Sequence, residues 1–116
     1  MEQQNPIAKW PFGAATLVVL MAAGIQVVSV VNNLTIVDGT SNVATADRTI
    51  NLDIATDVEP GARLIVKSKT NATENLIPGT CIKGTVVPGT SGKTKVVEYV
   101  YDGTSFIQTA AAVQID

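Results

Sequence analysis

One tetrapeptide occurs twice in this chain of 116 residues, as Asp38-Gly39-Thr40-Ser41 and as Asp102-Gly103-Thr104-Ser105. Each copy follows a short β-branched or aromatic run, Thr35-Ile36-Val37 in the first case and Tyr99-Val100-Tyr101 in the second. Asp-Gly is a strong hairpin signal, because a two-residue type I′ turn needs positive φ at both central positions and these residues tolerate it. The two copies therefore predict turns at two corners of a β domain.

Strand signals and turn signals alternate along the rest of the chain. Residues 48–54 give the clearest strand pattern, because apolar and polar side chains alternate strictly there. The pattern places Ile50, Leu52 and Ile54 on a core and Thr49, Asn51 and Asp53 in water. Further strands are predicted at residues 34–37, 42–46, 62–67, 81–87, 95–101 and 106–111. Turn signals at intervals of roughly 8–12 residues predict a small antiparallel β-sandwich or jelly-roll-like barrel.

The uncharged stretch at residues 13–31 allows three interpretations. Its length meets the first criterion for a membrane-spanning helix, and residues 14–21 resemble the apolar region of a signal peptide. The interpretation favoured by the residues is a buried β-hairpin, because the second half is rich in valine and contains Gln26 and Ser29. Ala22-Ala23-Gly24 then separates two strands at residues 16–21 and 26–31.

Residues 1–13 are predicted to form an extended N-terminal arm, and residues 14–116 a single β domain. The arm carries Pro6 and Pro11 and shows no periodicity, and proline removes hydrogen-bond donors and fixes φ. Its apolar side chains are Ile7, Trp10 and Phe12. These three either cover one end of their own domain or dock on a partner, as aromatic anchors do at interfaces.

The composition argues against an enzyme, a metalloprotein and a nucleic-acid-binding protein. The chain has no histidine, which is the most frequent general base and metal ligand, and the single Cys81 has no base to activate it. Lysine and arginine are scattered singly within a net charge of −2, so no basic stripe would follow a phosphate backbone. We therefore predict no catalytic residue, no cofactor, no metal ligand and no nucleic-acid partner.

Two further motifs are interpreted as ordinary surface features. Residues 90–94 end like a phosphate-binding loop, but Val87 stands where the motif needs glycine and a strand is predicted to follow instead of a helix. The carboxylates Asp47, Asp53, Asp57 and Glu59 lie close in sequence without the spacing of a calcium-binding loop. Both features are expected to be solvated.

Two blocks of sequence resemble the small β domains of tailed-bacteriophage virion proteins, especially head-decoration proteins and head or tail fibres. The first block combines residues 33–39 with residues 47–52, and the second combines residues 60–67 with the aromatic hairpin at residues 99–106. The resemblance covers roughly residues 33–107 and rests mainly on turns. It does not extend to the apolar residues 14–31.

This resemblance implies an all-β module without catalytic residues, often trimeric, that binds a capsid lattice or a fibre. The expected protein is a virion component on the capsid surface, made in the host cytoplasm, with the major capsid protein or neighbouring virion subunits as partners. In this interpretation Ile7, Trp10 and Phe12 dock on the partner. A fibre or tail-adaptor module is the alternative within the class. A membrane-anchored or secreted β domain that uses residues 13–31 as helix or signal is the alternative outside it.

Overall fold

The computed structural model describes residues 15–116 and contains ten strands within that range. The strands are β1 (Ala15–Val19), β2 (Gly24–Val30), β3 (Leu34–Ala44), β4 (Arg48–Ile54), β5 (Arg63–Thr70), β6 (Leu76–Pro78), β7 (Ile82–Lys83), β8 (Thr94–Tyr101), β9 (Phe106–Gln108) and β10 (Val113–Gln114). They form two sheets. Sheet A has the order β1-β3-β5-β8-β9-β7, with β10 also paired to β8, and sheet B has the order β2-β4-β6.

The first six strands alternate between the two sheets and so form three stacked coils. Coil 1 consists of β1 and β2, coil 2 of β3 and β4, and coil 3 of β5 and β6. The pairs β1–β3 and β3–β5 in sheet A, and β2–β4 and β4–β6 in sheet B, are all parallel. This is the arrangement of a short parallel β-helix, in which each coil lies on the next.

The step between coils is not constant. In sheet A the register runs from Ala15 to Leu34 and then to Arg63, so the first step is 19 residues and the second is 29. The extra residues lie partly in β3, where the register against β5 shifts between Gly39 and Ala44. A shift of this kind inserts unpaired residues and bends the strand locally.

The inner faces of the two sheets share one hydrophobic core. Its members come from all three coils and from the C-terminal strands, and the most enclosed are Val30, Val37, Leu64, Val66 and Phe106, each 0% exposed. The side chain of Phe106 also stacks on Tyr101, with ring centroids 5.0 Å apart. With few aromatic residues available, the core is filled mainly by β-branched side chains, which pack well on a pleated surface.

The all-β prediction is confirmed, but the predicted antiparallel arrangement is corrected, since five strand pairs are parallel. Within residues 15–116, antiparallel pairing joins β8 to β5, β9 and β10, and an isolated antiparallel bridge joins Leu76 to Val87. The strand predicted at residues 48–54 matches β4, whereas the one predicted at residues 81–87 is reduced to the two residues of β7. The prediction missed β6 and β10 altogether.

The apolar segment forms strands in its described part, but the predicted buried hairpin is wrong. Strands β1 and β2 belong to different sheets and each pairs with a strand of coil 2. Gly24, with φ of +89°, lies at the corner between them. Among residues 15–116 there is no helix that is long and apolar enough to cross a membrane. The boundary of the predicted arm, residues 1–13, lies outside the described residues.

The two copies of the repeated tetrapeptide adopt different structures. The second copy turns the chain between β8 and β9, as predicted, but only Gly103 has positive φ, so the predicted pair of positive-φ residues is not formed. The first copy does not form a hairpin, because Asp38 and Gly39 lie inside the long strand β3. There the Asp38 carboxylate accepts hydrogen bonds from the backbone N–H of Thr40 at 2.9 Å and from the hydroxyl of Ser41 at 2.9 Å.

The hairpin turn makes the stability of the fold depend on pH. Asp102 Oδ1 accepts the N–H groups of Ser105 at 2.7 Å and Thr104 at 2.8 Å, and these bonds lower the pKa of the Asp102 carboxyl. Its contribution is therefore fully present above the unfolded pKa of about 3.9 and is lost as pH falls through the lower folded value. We expect the urea midpoint of the wild type to fall more steeply below about pH 4 than that of Asp102→Asn, whose amide oxygen still accepts both bonds. Parallel curves from pH 6 to pH 2.5 would contradict this.

Candidate assembly surface

Coil 1 exposes large apolar side chains on both sides of the domain. In β1 the outward side chains of Leu17 and Val19 are 67% and 50% exposed, and in β2 those of Ile25 and Val27 are 66% and 63% exposed. The inward side chains Leu20, Val28 and Val30 are at most 1% exposed. Coil 1 therefore carries apolar side chains on its inner surface and on its outer surface. Contiguous exposed apolar side chains are uncommon on soluble proteins, and such patches mark contact sites.

On sheet A the apolar surface continues from coil 1 across the other two coils. Leu17 lies opposite Ile36, and Ile36 lies opposite Ile65, so the three outward side chains form one row across β1, β3 and β5. Ile36 and Ile65 are partly exposed. We call this set, together with Val19 and Leu34, the apolar face of sheet A.

The outer surface of sheet B changes character after coil 1. In coil 2 the outward side chains of β4 are Thr49, Asn51 and Asp53, which lie opposite Ile25, Val27 and Ser29 of coil 1. Asn51 is not simply solvated as predicted, because its Oδ1 accepts the backbone N–H of Thr80 at 2.8 Å and so holds the chain that follows β6. The polar residues of coil 2 therefore interrupt the apolar surface of sheet B next to coil 1.

The charges on the outer surface of sheet A occur as neighbouring opposites. Arg63 on β5 forms a salt bridge with Glu98 on β8, and Arg63 Nε also donates to the same carboxylate at 2.5 Å. Asp38 on β3 lies opposite Lys67 on β5. The pKa of the Asp38 carboxyl is lowered, chiefly by the hydroxyl and N–H of Thr40 and to a lesser extent by the positive charge of Lys67. Lys69, which alternates with Arg63 and Lys67 on the outer side of β5, adds a third positive charge to this surface.

Both strands of coil 1 are edge strands within residues 15–116. β1 pairs only with β3, and β2 only with β4, so each has one unpaired edge at the same end of the stack. The corner between the two strands is tied by Gln26, whose Oε1 accepts the N–H of Met21 at 2.7 Å and whose Nε2 donates to the carbonyl of Val19 at 3.0 Å. An unpaired strand edge invites another strand.

A buried arginine, which the sequence interpretation left without a role, joins the three coils. Arg48 is 1% exposed, and its guanidinium donates to the carbonyls of Met21 in coil 1, of Gly39 and Asn42 in coil 2, and of Lys69 in coil 3, at 2.8–3.4 Å. It also donates to Ser68 Oγ at 2.7 Å. Burial lowers the pKa of this guanidinium, and the charge of Glu74 acts in the opposite direction. The sequence did contain a signal for this role, because Arg48 is a charged residue on the core face of a strand in which apolar and polar side chains alternate.

The other predicted features supply no enclosed site. Residues 90–94 form a turn that leads into β8, and Cys81 is half-buried at φ of +65° just before β7. Within the part of the chain that the structure describes, no three Asp, Glu, Cys or His side chains are grouped to hold a metal ion. A shallow surface depression of about 410 Å³ lies between residues 83–85 and 108–111.

The predicted docking residues Ile7, Trp10 and Phe12 lie outside the described residues, so their role stays a prediction. Comparison of the chain with models of known protein families, with curated proteins and with solved structures finds no match. The functional conclusion therefore rests on the surface of residues 15–116 and on the resemblance found in the sequence.

Proposed function

We propose that the protein is a non-enzymatic structural component of a bacteriophage virion that decorates or stabilises the capsid through protein–protein contacts. The observation that carries this proposal is coil 1, which presents large apolar side chains on both outer surfaces and, among residues 15–116, has unpaired strand edges at one end. Such a surface fits a protein partner. The resemblance to virion β domains supplies the class of partner, the major capsid protein or its neighbours.

Capsid stabilisation by such a module needs contact area and repetition. Each Å² of apolar surface that coil 1 removes from water contributes about 25 cal/mol. Repetition over many equivalent sites multiplies this contribution, and a copy that bridges two capsid subunits holds them together. In this proposal Ile7, Trp10 and Phe12 add apolar contacts from the segment that precedes coil 1.

The stacked coils favour a second candidate, a head-fibre, tail-fibre or tail-adaptor module. Parallel coils make an elongated, quasi-one-dimensional unit in which each coil mainly contacts its neighbours. Within residues 15–116, coil 1 lies at one end of the stack and the antiparallel strands lie at the other. This difference between the two ends would suit a module that is joined to a particle at one end. The number of copies on a particle separates the two candidates.

The experiment is to purify intact particles released by the culture that expresses the chain and to quantify the chain by mass spectrometry against the major capsid protein. Decoration predicts copies in proportion to capsid subunits, and a fibre or adaptor predicts a few copies. A chain that stays in the soluble or membrane fraction while particles are recovered without it would contradict both candidates.

A matched pair of full-length variants tests the docking surface on these particles. Exchanging Ile25 and Val27 for serine should reduce the amount of chain that cosediments with particles lacking it, because this removes exposed apolar area from coil 1. Exchanging Thr49 and Asp53 of coil 2 for serine should leave cosedimentation unchanged. Equal binding by both variants would exclude the sheet B side of coil 1 as the docking surface.

A further inference from the structure

The two copies of the repeated tetrapeptide differ in how firmly their Asp-Gly peptide group is held. In β3 the carbonyl of Asp38 accepts the N–H of Leu20 at 2.8 Å, and Asp38 is paired with β1 on one side and with β5 on the other. In the hairpin between β8 and β9, the peptide group that joins Asp102 to Gly103 has no hydrogen-bond partner within residues 15–116. The same dipeptide is therefore restrained in one copy and unrestrained in the other.

An unrestrained Asp-Gly peptide group can react with its own side chain. Glycine has no Cβ to hinder its nitrogen, so the backbone nitrogen of Gly103 can bond to Cγ of Asp102. The proton of that nitrogen and one carboxyl oxygen with its proton leave as water, and a five-membered cyclic imide remains. Water then opens the imide at either carbonyl group, which restores aspartate or leaves isoaspartate. The overall change needs no other reagent and does not alter the mass.

The fold makes this reaction easier in the hairpin than in β3. Asp102 and Gly103 are exposed, and the nearest atom to a Cβ placed on Gly103 is 3.7 Å away. The carboxylate must release the N–H groups of Thr104 and Ser105, which is a local opening of one surface turn. At Asp38 the imide ring cannot close while the backbone is extended, so β3 must first separate from β1 and from β5.

The ionisation of the two carboxyl groups does not account for such a difference. Hydrogen bonds lower the pKa of Asp38, chiefly those from Thr40, and also lower the pKa of Asp102. The fraction of protonated carboxyl, which is the form that loses water, is therefore reduced at both positions. The difference in reactivity comes from the backbone.

We propose that Asp102 is a modification site, at which the turn between β8 and β9 is converted to isoaspartate through a cyclic imide with Gly103, while the strand environment preserves Asp38. In the product the main chain runs through Cβ and Cγ of residue 102, and the carboxylate is attached to Cα. This carboxylate no longer has the position from which Asp102 accepts the N–H groups of Thr104 and Ser105. The modified turn is therefore less stable than the original one. The reaction does not depend on attachment to a capsid.

Peptide mapping of the full-length chain after incubation at about pH 5, where the ionised carboxylate still holds the turn, tests the proposal. Trypsin places Asp38 in the peptide 10–48 and Asp102 in the peptide 96–116, so each site is followed separately. Isoaspartate is identified by its chromatographic retention and by electron-transfer fragmentation. We expect it to form at least about tenfold faster at Asp102 than at Asp38, which corresponds to a difference of about 1.4 kcal/mol in the free energy of local opening.

The same incubation in concentrated urea is the control, because the two sites share the sequence Asp-Gly-Thr-Ser and should then react at similar rates. Equal rates in the folded chain would overturn the proposal. So would a folded chain that forms no isoaspartate at Asp102, or a preference for Asp102 that persists unchanged in urea.

Gly103→Asn tests the attacking nitrogen, because asparagine tolerates positive φ but adds a Cβ beside that nitrogen. This variant should lose most of the isoaspartate at Asp102 and keep the wild-type circular dichroism spectrum. Undiminished isoaspartate at Asp102 in this variant would contradict the proposal. If the variant does not fold, the comparison of the two wild-type sites in buffer and in urea decides the outcome.

Discussion

Arg48→Met should lower the free energy of unfolding by about 3–5 kcal/mol, the largest effect that we expect from any single substitution of a polar residue in this domain. Its guanidinium donates to carbonyl groups of all three coils, those of Met21, Asn42 and Lys69. Methionine fills much of the space but removes the donor from the buried carbonyl of Gly39 and from the buried hydroxyl of Ser68 as well, and each buried group left without its partner costs about 1–3 kcal/mol. A domain of this size has a total stability of about 5–15 kcal/mol, so the loss is substantial.

Urea unfolding followed by circular dichroism at one fixed protein concentration measures this effect. Arg48→Lys should recover part of the loss, because an ammonium keeps the charge and three donors but cannot span all of the carbonyls. Lys83→Met is the matched control, since it removes one positive charge from an exposed side chain and should change stability by less than about 0.5 kcal/mol. A similar midpoint for Arg48→Met and Lys83→Met would show that the arginine does not hold the coils together.

Gly39→Ala should destabilise the fold by about 3 kcal/mol, whereas Gly103→Ala at the equivalent position of the second tetrapeptide should cost about 1 kcal/mol. A Cβ on Gly39 would lie 2.5 Å from the carbonyl oxygen of Lys67 and 3.0 Å from Nη2 of Arg48. Strands β3 and β5 must move apart to admit it. At Gly103 the nearest atom, Cγ of Pro60, is 3.7 Å away, so only the φ of +99° opposes a side chain.

Substitution by asparagine separates these two causes. Asparagine tolerates positive φ, so Gly103→Asn should be close to the wild type in urea unfolding, while Gly39→Asn should be at least as destabilised as Gly39→Ala. The prediction fails if Gly39→Ala unfolds within about 0.5 kcal/mol of the wild type, because the close approach of β3 to β5 would then not constrain this position.

The identical tetrapeptides show how far local sequence predicts this fold. In the second copy the flanking aromatic strands are adjacent in sequence, and the turn between them is a local structure that the residues specify. In the first copy the same four residues run on within β3, because the next strand, β4, lies in the other sheet. The environment of Gly39 is set by Lys67 and Arg48, which no local pattern could have indicated.

The strand β4 was predicted at its observed boundaries, because alternation with period two is a direct consequence of one buried face. Alternation does not distinguish parallel from antiparallel partners, so the coil arrangement could not be derived from it. Unequal steps of 19 and 29 residues also remove the fixed period by which stacked coils are usually recognised in sequence.

The apolar segment was interpreted as buried for a sound reason, since its residues do supply core side chains such as Leu20 and Val30. The sequence could not show that the alternate side chains of the same strands, among them Leu17 and Ile25, would be directed outward. Those outward residues are the basis of the proposed capsid contact. Candidate residues Ile7, Trp10 and Phe12 remain predictions of the sequence alone.

The parallel stacking of the coils determines the order in which strands find their partner strands during synthesis. Coil 1 leaves the ribosome before its partner strands β3 and β4 exist, and it is also the most apolar of the three coils. Its pairing is non-local, whereas the β8–β9 hairpin, which is made after the three coils, forms from contacts close in sequence. Coil 1 therefore stays unpaired until coil 2 has been made, and a nascent chain with such exposed apolar strands gains from a chaperone near the site of its synthesis.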